Sequence, residues 1–462
     1  MKSSANASRP HSATEGDTVP AVSFGEALAT WVRVAILSFG GPAAQISVMH
    51  RLLVEEKGWI SDARFMHALN YCMLLPGPEA MQLATYIGWL LHRTAGGLIA
   101  GTLFVLPGFV SILLLSVLYA GFADLPVVQA LFFGIKAAVL AVVAQAMVRI
   151  GRRVLKNGWM VAIAGASFVA IFVLGVPFPY IIIAAALAGL AGGHWLHDRF
   201  TVITPAGDPD GDPDGGPEME SARPHHGRAF RVAATWLALW FVPLGAMMAV
   251  LGPDHVFSQI GWFFSKLAVL TFGGAYAVLA WMAQATVESY GWLAPGEMLD
   301  GLGMAESTPG PLIQVVQFVA FMGAFREPGV LSPMAAGIVG SVIATWMTFV
   351  PCFLWIFLGA PYVERLRNRA RLNAALSAIT AAVVGVVANL ALWFGLHVLF
   401  GEVGKWRTGP VTLLVPNPAT LDPASALLTL AALVALIRFR AGMLPVIGIS
   451  AALGAAWYLA TG

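Results

Sequence analysis

Ser38-Phe39-Gly40-Gly41, Gly58-Trp59 and Pro76-Gly77-Pro78 stand close together near the start of the chain, and Thr271-Phe272-Gly273-Gly274, Gly291-Trp292 and Pro309-Gly310-Pro311 repeat them in the second half. All three motifs are offset by the same 233 residues (273 − 40, 292 − 59 and 309 − 76), with no gap between them. Arg33 falls on Lys266 and Ser38 on Thr271 at that offset. Farther on, Pro107 pairs with Pro351, and Gly134-Ile135-Lys136-Ala137-Ala138 pairs with Ala378-Ile379-Thr380-Ala381-Ala382, both at 244. The second copy therefore carries 11 extra residues, in or near the loop Arg326–Ser332. A duplicated motif set in an apolar chain predicts a membrane transporter built from two repeats around a shared site.

Composition sets the solvent. The 462 residues are 58% hydrophobic and 11% charged, with a mean hydropathy of +0.78. A soluble protein of this length needs more surface charge, so the apolar excess faces lipid. The net charge of +2 is too small and too dispersed for nucleic-acid binding. Cys72 and Cys352 sit in apolar segments and do not match across the repeat, so they give neither a disulfide framework nor a metal site.

The predicted fold is an all-α polytopic membrane protein of about thirteen membrane segments, since a run of roughly 20 apolar residues spans a bilayer. Residues 1–23 read as a disordered cytoplasmic tail without a cleaved signal pattern. Residues 24–197 form the first repeat, with segments near 26–50, 64–91, 95–121, 127–148, 159–175 and 178–196. The stretch 198–231, with its run from Gly207 to Pro217, reads as a disordered acidic linker rather than a calcium loop. One linking helix at 232–251 precedes the second repeat at 252–462, with segments near 259–284, 298–325, 333–359, 373–400, 422–437 and 442–460.

Six segments, one extra and six more turn the second repeat upside down. Basic loops fit this: Arg149–Lys156, the linker arginines, Arg365–Arg371 and Arg438–Arg440 all fall on the N-terminal, cytoplasmic side. The C-terminus is then periplasmic. Arg51–Arg64 and Gly401–Pro410 fit less well, being basic yet placed outside.

The chemistry is expected at the breaks. Proline removes a backbone donor and glycine permits unusual angles, so Pro76-Gly77-Pro78 and Pro309-Gly310-Pro311 divide membrane helices into halves, and these segments either span or re-enter. Broken backbone at that depth is tolerated where protein or water covers it, and half-helix N-termini favour an anion. Gly40, Gly41, Gly273 and Gly274 allow close approach of a helix or a ligand. Arg33 and Lys266 lie two turns before the glycines, either attracting an oxyanion or snorkelling to the interface. Asn70, Gln82, Gln314 and Gln317 flank the breaks as hydrogen-bond donors to an oxyanion, or as cross-links within the bundle. Glu79 and Glu306 are candidate carriers of a coupling proton, or structural charges; they do not superpose across the repeat. Lys136 has Thr380, not a cation, opposite it. The chain has no phosphate-binding GxxxxGK[ST] loop, HExxH, CxxC or serine-hydrolase elbow. No enzyme, cofactor or metal follows.

Ser38-Phe39-Gly40-Gly41-Pro42, Gly58-Trp59 and the run from Pro76 to Ala84, with their counterparts Leu270–Gly274 and Ser307–Pro311, resemble the chromate ion transporter family in its long two-domain form, over about residues 24–460. The acidic linker departs from that pattern. The resemblance implies an inner-membrane exporter of chromate that confers resistance to it. Chromate is a tetrahedral dianion close to sulfate in size and charge, so sulfate is the expected competitor. A homodimer is a compatible assembly. The residues themselves give an anion site and do not name the anion. Uptake or exchange of sulfate or another oxyanion, a chromate reductase and a channel or receptor are the competing readings; the reductase lacks any haem or flavin signature.

Overall fold

The computed structural model describes residues 22–195, 200, 226–272, 274–360, 370–409 and 411–461. Most of the amino-terminal tail, most of the acidic linker, Gly273 and the basic stretch at 365–369 lie outside the described residues.

Helices α1 (Phe24–Leu37), α2 (Gly41–His50, continued by a π turn at Arg51–Glu56), α3 (Asp62–Leu74), α4 (Glu79–Phe122), α5 (Pro126–Val154), α6 (Gly158–Phe172) and α7 (Phe178–Trp195) form the first half. Helix α8 (His226–Leu251) follows. The second half contains α9 (Val256–Leu270), α10 (Ala275–Gln284, continued by a π turn at Ala285–Ser289), α11 (Pro295–Ser307), α12 (Val315–Arg326), α13 (Pro333–Gly359), α14 (Ala370–Leu399), α15 (Pro423–Ile437) and α16 (Met443–Thr461). Six of the described helices are long and apolar enough to cross a bilayer, within α4, α5, α8, α13, α14 and α16, and α6, α7 and α15 are shorter apolar helices. Along α4 the residues Leu106, Val110, Leu114, Leu118 and Phe122 are exposed at every fourth position. That spacing keeps one helix face apolar and uncovered, as lipid requires.

Strands β1 (Val403–Thr408) and β2 (Val411–Pro416) pair antiparallel, with Trp406 opposite Leu413. The sequence reading drew a plain loop here. The β-branched residues Val403, Thr408, Val411, Thr412 and Val415, with Gly409 at the turn, φ +59°, favour closing it into a hairpin.

Four segments drawn as membrane segments, the two with Pro-Gly-Pro breaks left open between spanning and re-entering, fold back on themselves. In a continuous helix Arg33 and Glu56 would be roughly 35 Å apart, and Glu26 and Lys57 roughly 46 Å. Instead Arg33 Nη1 meets Glu56 Oε2 at 2.8 Å and Lys57 Nζ meets Glu26 Oε1 at 2.8 Å, so α1 and α2 are the antiparallel arms of one hairpin. The rings of Tyr71 and Tyr86 lie 5.3 Å apart across the Pro76-Gly77-Pro78 break, making α3 and the start of α4 a second hairpin. Helix α4 then turns a corner at His92 and Arg93, where φ and ψ leave the helical region. In the second half Phe263 packs edge-on against Tyr290 with ring centroids 5.3 Å apart, and Arg326 Nη2 binds Glu297 Oε1 at 2.6 Å, so α9/α10 and α11/α12 fold in the same way. The segments read at 26–50, 64–91, 259–284 and 298–325 are thus each two short arms. Proline and glycine at the break permit a full reversal as readily as a kink, and apolar length alone does not distinguish the two.

The hairpin tips meet. Gly77 N–H donates to the Thr271 carbonyl at 2.8 Å, and Gly310 N–H donates to the Ser38 carbonyl at 2.8 Å. These are the same bond made twice, since 77 and 38 plus 233 give 310 and 271. Gly77 and Gly310 share a backbone conformation, with φ +126° and +108°, that only glycine adopts without strain.

Candidate functional site

A cavity of about 430 Å³ opens where two tips cross. Its floor is the first Pro-Gly-Pro tip, Leu74 to Glu79, against Phe272 and Gly274–Tyr276 of the α9/α10 tip. One wall is α3, through His67, Asn70 and Met73, and the facing wall is α14, through Asn373, Leu376, Ile379 and Thr380. Arg149, Arg153 and Lys156, at the end of α5 and just beyond it, complete the lining.

Those three cations are exposed rather than paired into the core. They follow from helix chemistry: basic side chains at a C-terminus complement the negative end of the helix dipole. Low-dielectric walls around a basic mouth focus the field and raise the local concentration of anions. Polar atoms continue inward. Tyr276 lines the cavity and its hydroxyl donates to Glu306 Oε1 at 2.7 Å. Glu306 is 2% exposed, and its second oxygen has no hydrogen-bond partner among the described residues.

The sequence-selected residues are distributed as follows. Asn70, Gly77, Gly274 and Glu79 line the cavity. Pro76, Pro78, Pro309, Gly310 and Pro311 form the two tips, with Gly40 and Gly41 at the break between α1 and α2. The hydroxyls of Ser38 and Thr271 bond back to the carbonyls of Val34 and Leu267, at 2.6 and 2.7 Å, while their own carbonyls hold the opposite tips. Gln82 Nε2 donates to the Pro76 carbonyl at 2.7 Å, and Gln314 Nε2 donates to Gln317 Oε1 at 2.8 Å. Gln82 therefore braces the first break, while Gln314 ties the start of α12 to Gln317 and to Thr345 of α13. Gln317 in turn donates to the Phe109 carbonyl at 3.0 Å. Arg33 is engaged with Glu56, and Lys266 Nζ lies 5.5 Å from the Trp262 ring; neither contributes to the cavity lining.

The tip geometry also changes where an anion finds donors. The Gly77 and Gly310 N–H groups are already used between tips, and the Glu79 carboxylate occupies the first turn of α4. Among the described residues, the positive charge that lines the cavity lies at the α5 end instead. Sequence reading used Arg149, Arg153 and Lys156 only to assign a side to their loop. The available signal was their spacing: positions 149, 153 and 156 share one helical face.

The family profile described as Chromate transporter matches residues 25–190 and 258–455, covering both halves and leaving out the linker region. The chain is 28% identical over 440 residues to a chromate transport protein of Cupriavidus metallidurans, covering 94% of this chain and 93% of that one. It is 31% identical over 385 residues to a chromate transport protein of Pseudomonas aeruginosa, covering 82% and 83%. A probable chromate transport protein of Synechococcus elongatus is 25% identical over 400 residues, covering 84% and 92%. No solved structure matches.

Proposed function

The chain belongs to the chromate transporter family, and from that premise we propose that it is a secondary transporter exporting chromate from the cytoplasm by alternating access, thereby giving resistance to it. The observation that carries this reading is the basic cavity ending at crossed hairpin tips. Chromate enters past Arg149, Arg153 and Lys156, loses part of its hydration shell to Asn70, and leaves on the other side when the tips part. Arg33 and Lys266 serve the approach of anions at the periphery.

The sidedness has independent support. A hairpin returns to the side it leaves, so Arg51, Lys57 and Arg64 fall on the same side as Arg149–Lys156. That removes the misfit of a basic loop placed outside and supports a cytoplasmic N-terminus in the inner membrane. The base of the α9/α10 hairpin is tied through Glu288 to Lys405 at 3.1 Å, and the β1–β2 hairpin bonds to the Val173 carbonyl at the far end of α6. This supports entry of the second hairpin pair from the opposite face, as an inverted repeat requires.

Energetics favour export. Moving two negative charges out of a cell that is negative inside gains roughly 4–5 kcal/mol per 100 mV. The potential alone therefore drives outflow, and Glu306, which accepts from the cavity-lining Tyr276, carries the proton if one is exchanged. The test is chromate flux in inside-out vesicles, with sulfate as competitor and the potential collapsed. Potential-sensitive accumulation that sulfate inhibits is expected. No accumulation by inserted protein refutes export, and accumulation only in right-side-out vesicles makes the protein an importer.

A further inference from the structure

The two halves are equivalent in sequence but not in packing, and the difference identifies a second set of functional residues. On the open side α3 and α14 stand apart, and His67, Asn70, Ile379 and Thr380 face the cavity between them. The repeat offsets of 233 and 244 map these four onto Asp300, Gly303, Ile135 and Lys136. There the corresponding helices, α11 and α5, are closed together. Lys136 Nζ lies 3.4 Å from Asp300 Oδ2, and the Tyr119 hydroxyl donates to the same oxygen at 2.9 Å. Gly303 packs so tightly on the Ile135 side chain that a Cβ there would collide with it. Asp300 is 2% exposed, and its other carboxylate oxygen has no hydrogen-bond partner among the described residues.

A buried carboxylate with only one oxygen satisfied is a poor structural element. It serves as a latch, because the pair neutralises two charges while closed and separates into a cation and a carboxylate when open. We propose that Lys136, Asp300 and Tyr119 form the gate of the opposite entrance, and that Lys136 becomes a cationic lining residue of the anion's exit path when the gate opens. In that state α3 closes on α14 at Asn70 and Ile379, less tightly than Gly303 now closes on Ile135, because Asn70 carries a side chain where Gly303 has none. Lys136 stands at the position corresponding to Thr380, which already faces the passage. The exit half thereby gains a cation where its sequence partner has none.

This rests on the alternating-access reading, and the test separates the two. Hydrogen exchange by mass spectrometry is measured on the full chain in nanodiscs, for the natural protein and for Tyr119→Phe, with Lys136→Met as the second variant. Losing one hydrogen bond to a charged group shifts a two-state population by about tenfold. The expected result is reciprocal: residues 132–139 and 295–304 exchange faster and residues 66–73 and 373–380 slower, with the ratio of the two rates rising about tenfold because the two populations sum to one. Faster exchange around the latch without protection at the cavity would mean mere local loosening and overturns the gate, as does no change in either region. Chromate flux by the natural protein is followed in parallel. Absent flux refutes the transport reading, whereas flux without the reciprocal shift refutes only the gate.

Discussion

Removing the cations of the cavity mouth is the perturbation that most directly tests the electrostatic reading. A dianion about 6 Å from one positive charge, in water-like dielectric, gains about 1.4 kcal/mol. Screening at physiological ionic strength, with a Debye length of about 8 Å, roughly halves this. Each of Arg149→Gln, Arg153→Gln and Lys156→Gln should therefore raise the apparent KM for chromate about threefold at physiological salt. The three sites act through solvent and share no partner, so the triple variant should be weaker by about 25-fold, and the loss should grow at low salt. Arg153→Lys keeps the charge and should stay near the natural value. The assay is initial chromate uptake into inside-out vesicles across a salt series, with insertion orientation checked by protease accessibility, because these residues also bias topology. A triple variant with less than a twofold change and no salt dependence would refute the idea that this mouth concentrates the anion.

Other consequences are structural. Gly77→Ala or Gly310→Ala forces a side chain into a left-handed conformation, and at Gly77 the added Cβ would lie 3.0 Å from Cys352 Sγ. Each should cost about 1–3 kcal/mol, read as a lower melting temperature in detergent. Trp292 is 1% exposed and stacks on Tyr290 with ring centroids 4.4 Å apart, so Trp292→Ala should cost about 3–5 kcal/mol and show in the same measurement. Arg326→Gln removes the clasp on Glu297 and on the Trp292 carbonyl at the base of the α11/α12 hairpin. Its exposure limits the loss to about 1 kcal/mol, and raised proteolysis between α12 and α13 would report it.

The duplication was legible because it needs only residue identity. The offset of 233 recovers the paired breaks at Gly77 and Gly310 and predicts correspondences such as Gly58 and Gly291, both with positive φ. The reversal of each arm was legible only as an open alternative at the Pro-Gly-Pro breaks, because a hairpin of two apolar arms and a straight span have the same composition. The ties that distinguish them, Glu26 to Lys57 and Glu297 to Arg326, are non-local. The cavity was half visible. Asn70, Gly77 and Gly274 were chosen from motif proximity, while Arg149, Arg153 and Lys156 enter the site only because α5 ends beside α3. Asp300 was missed since its partner, Lys136, lies in the other repeat at a different offset.

The crossed bonds between tips bear on how the chain is made. Ribosomal synthesis delivers Ser38 and Gly77 to the membrane long before Thr271 and Gly310 exist. Until then the Gly77 N–H and the Ser38 carbonyl lack the partners that hold them in the finished protein, and hydrocarbon offers none. The first half must therefore wait with its tips wet or loosely docked, and the later half completes it by exchange. Assembly of this protein is in effect the association of two subunits that share one chain, and the intermediate between them is the species that membrane quality control would meet.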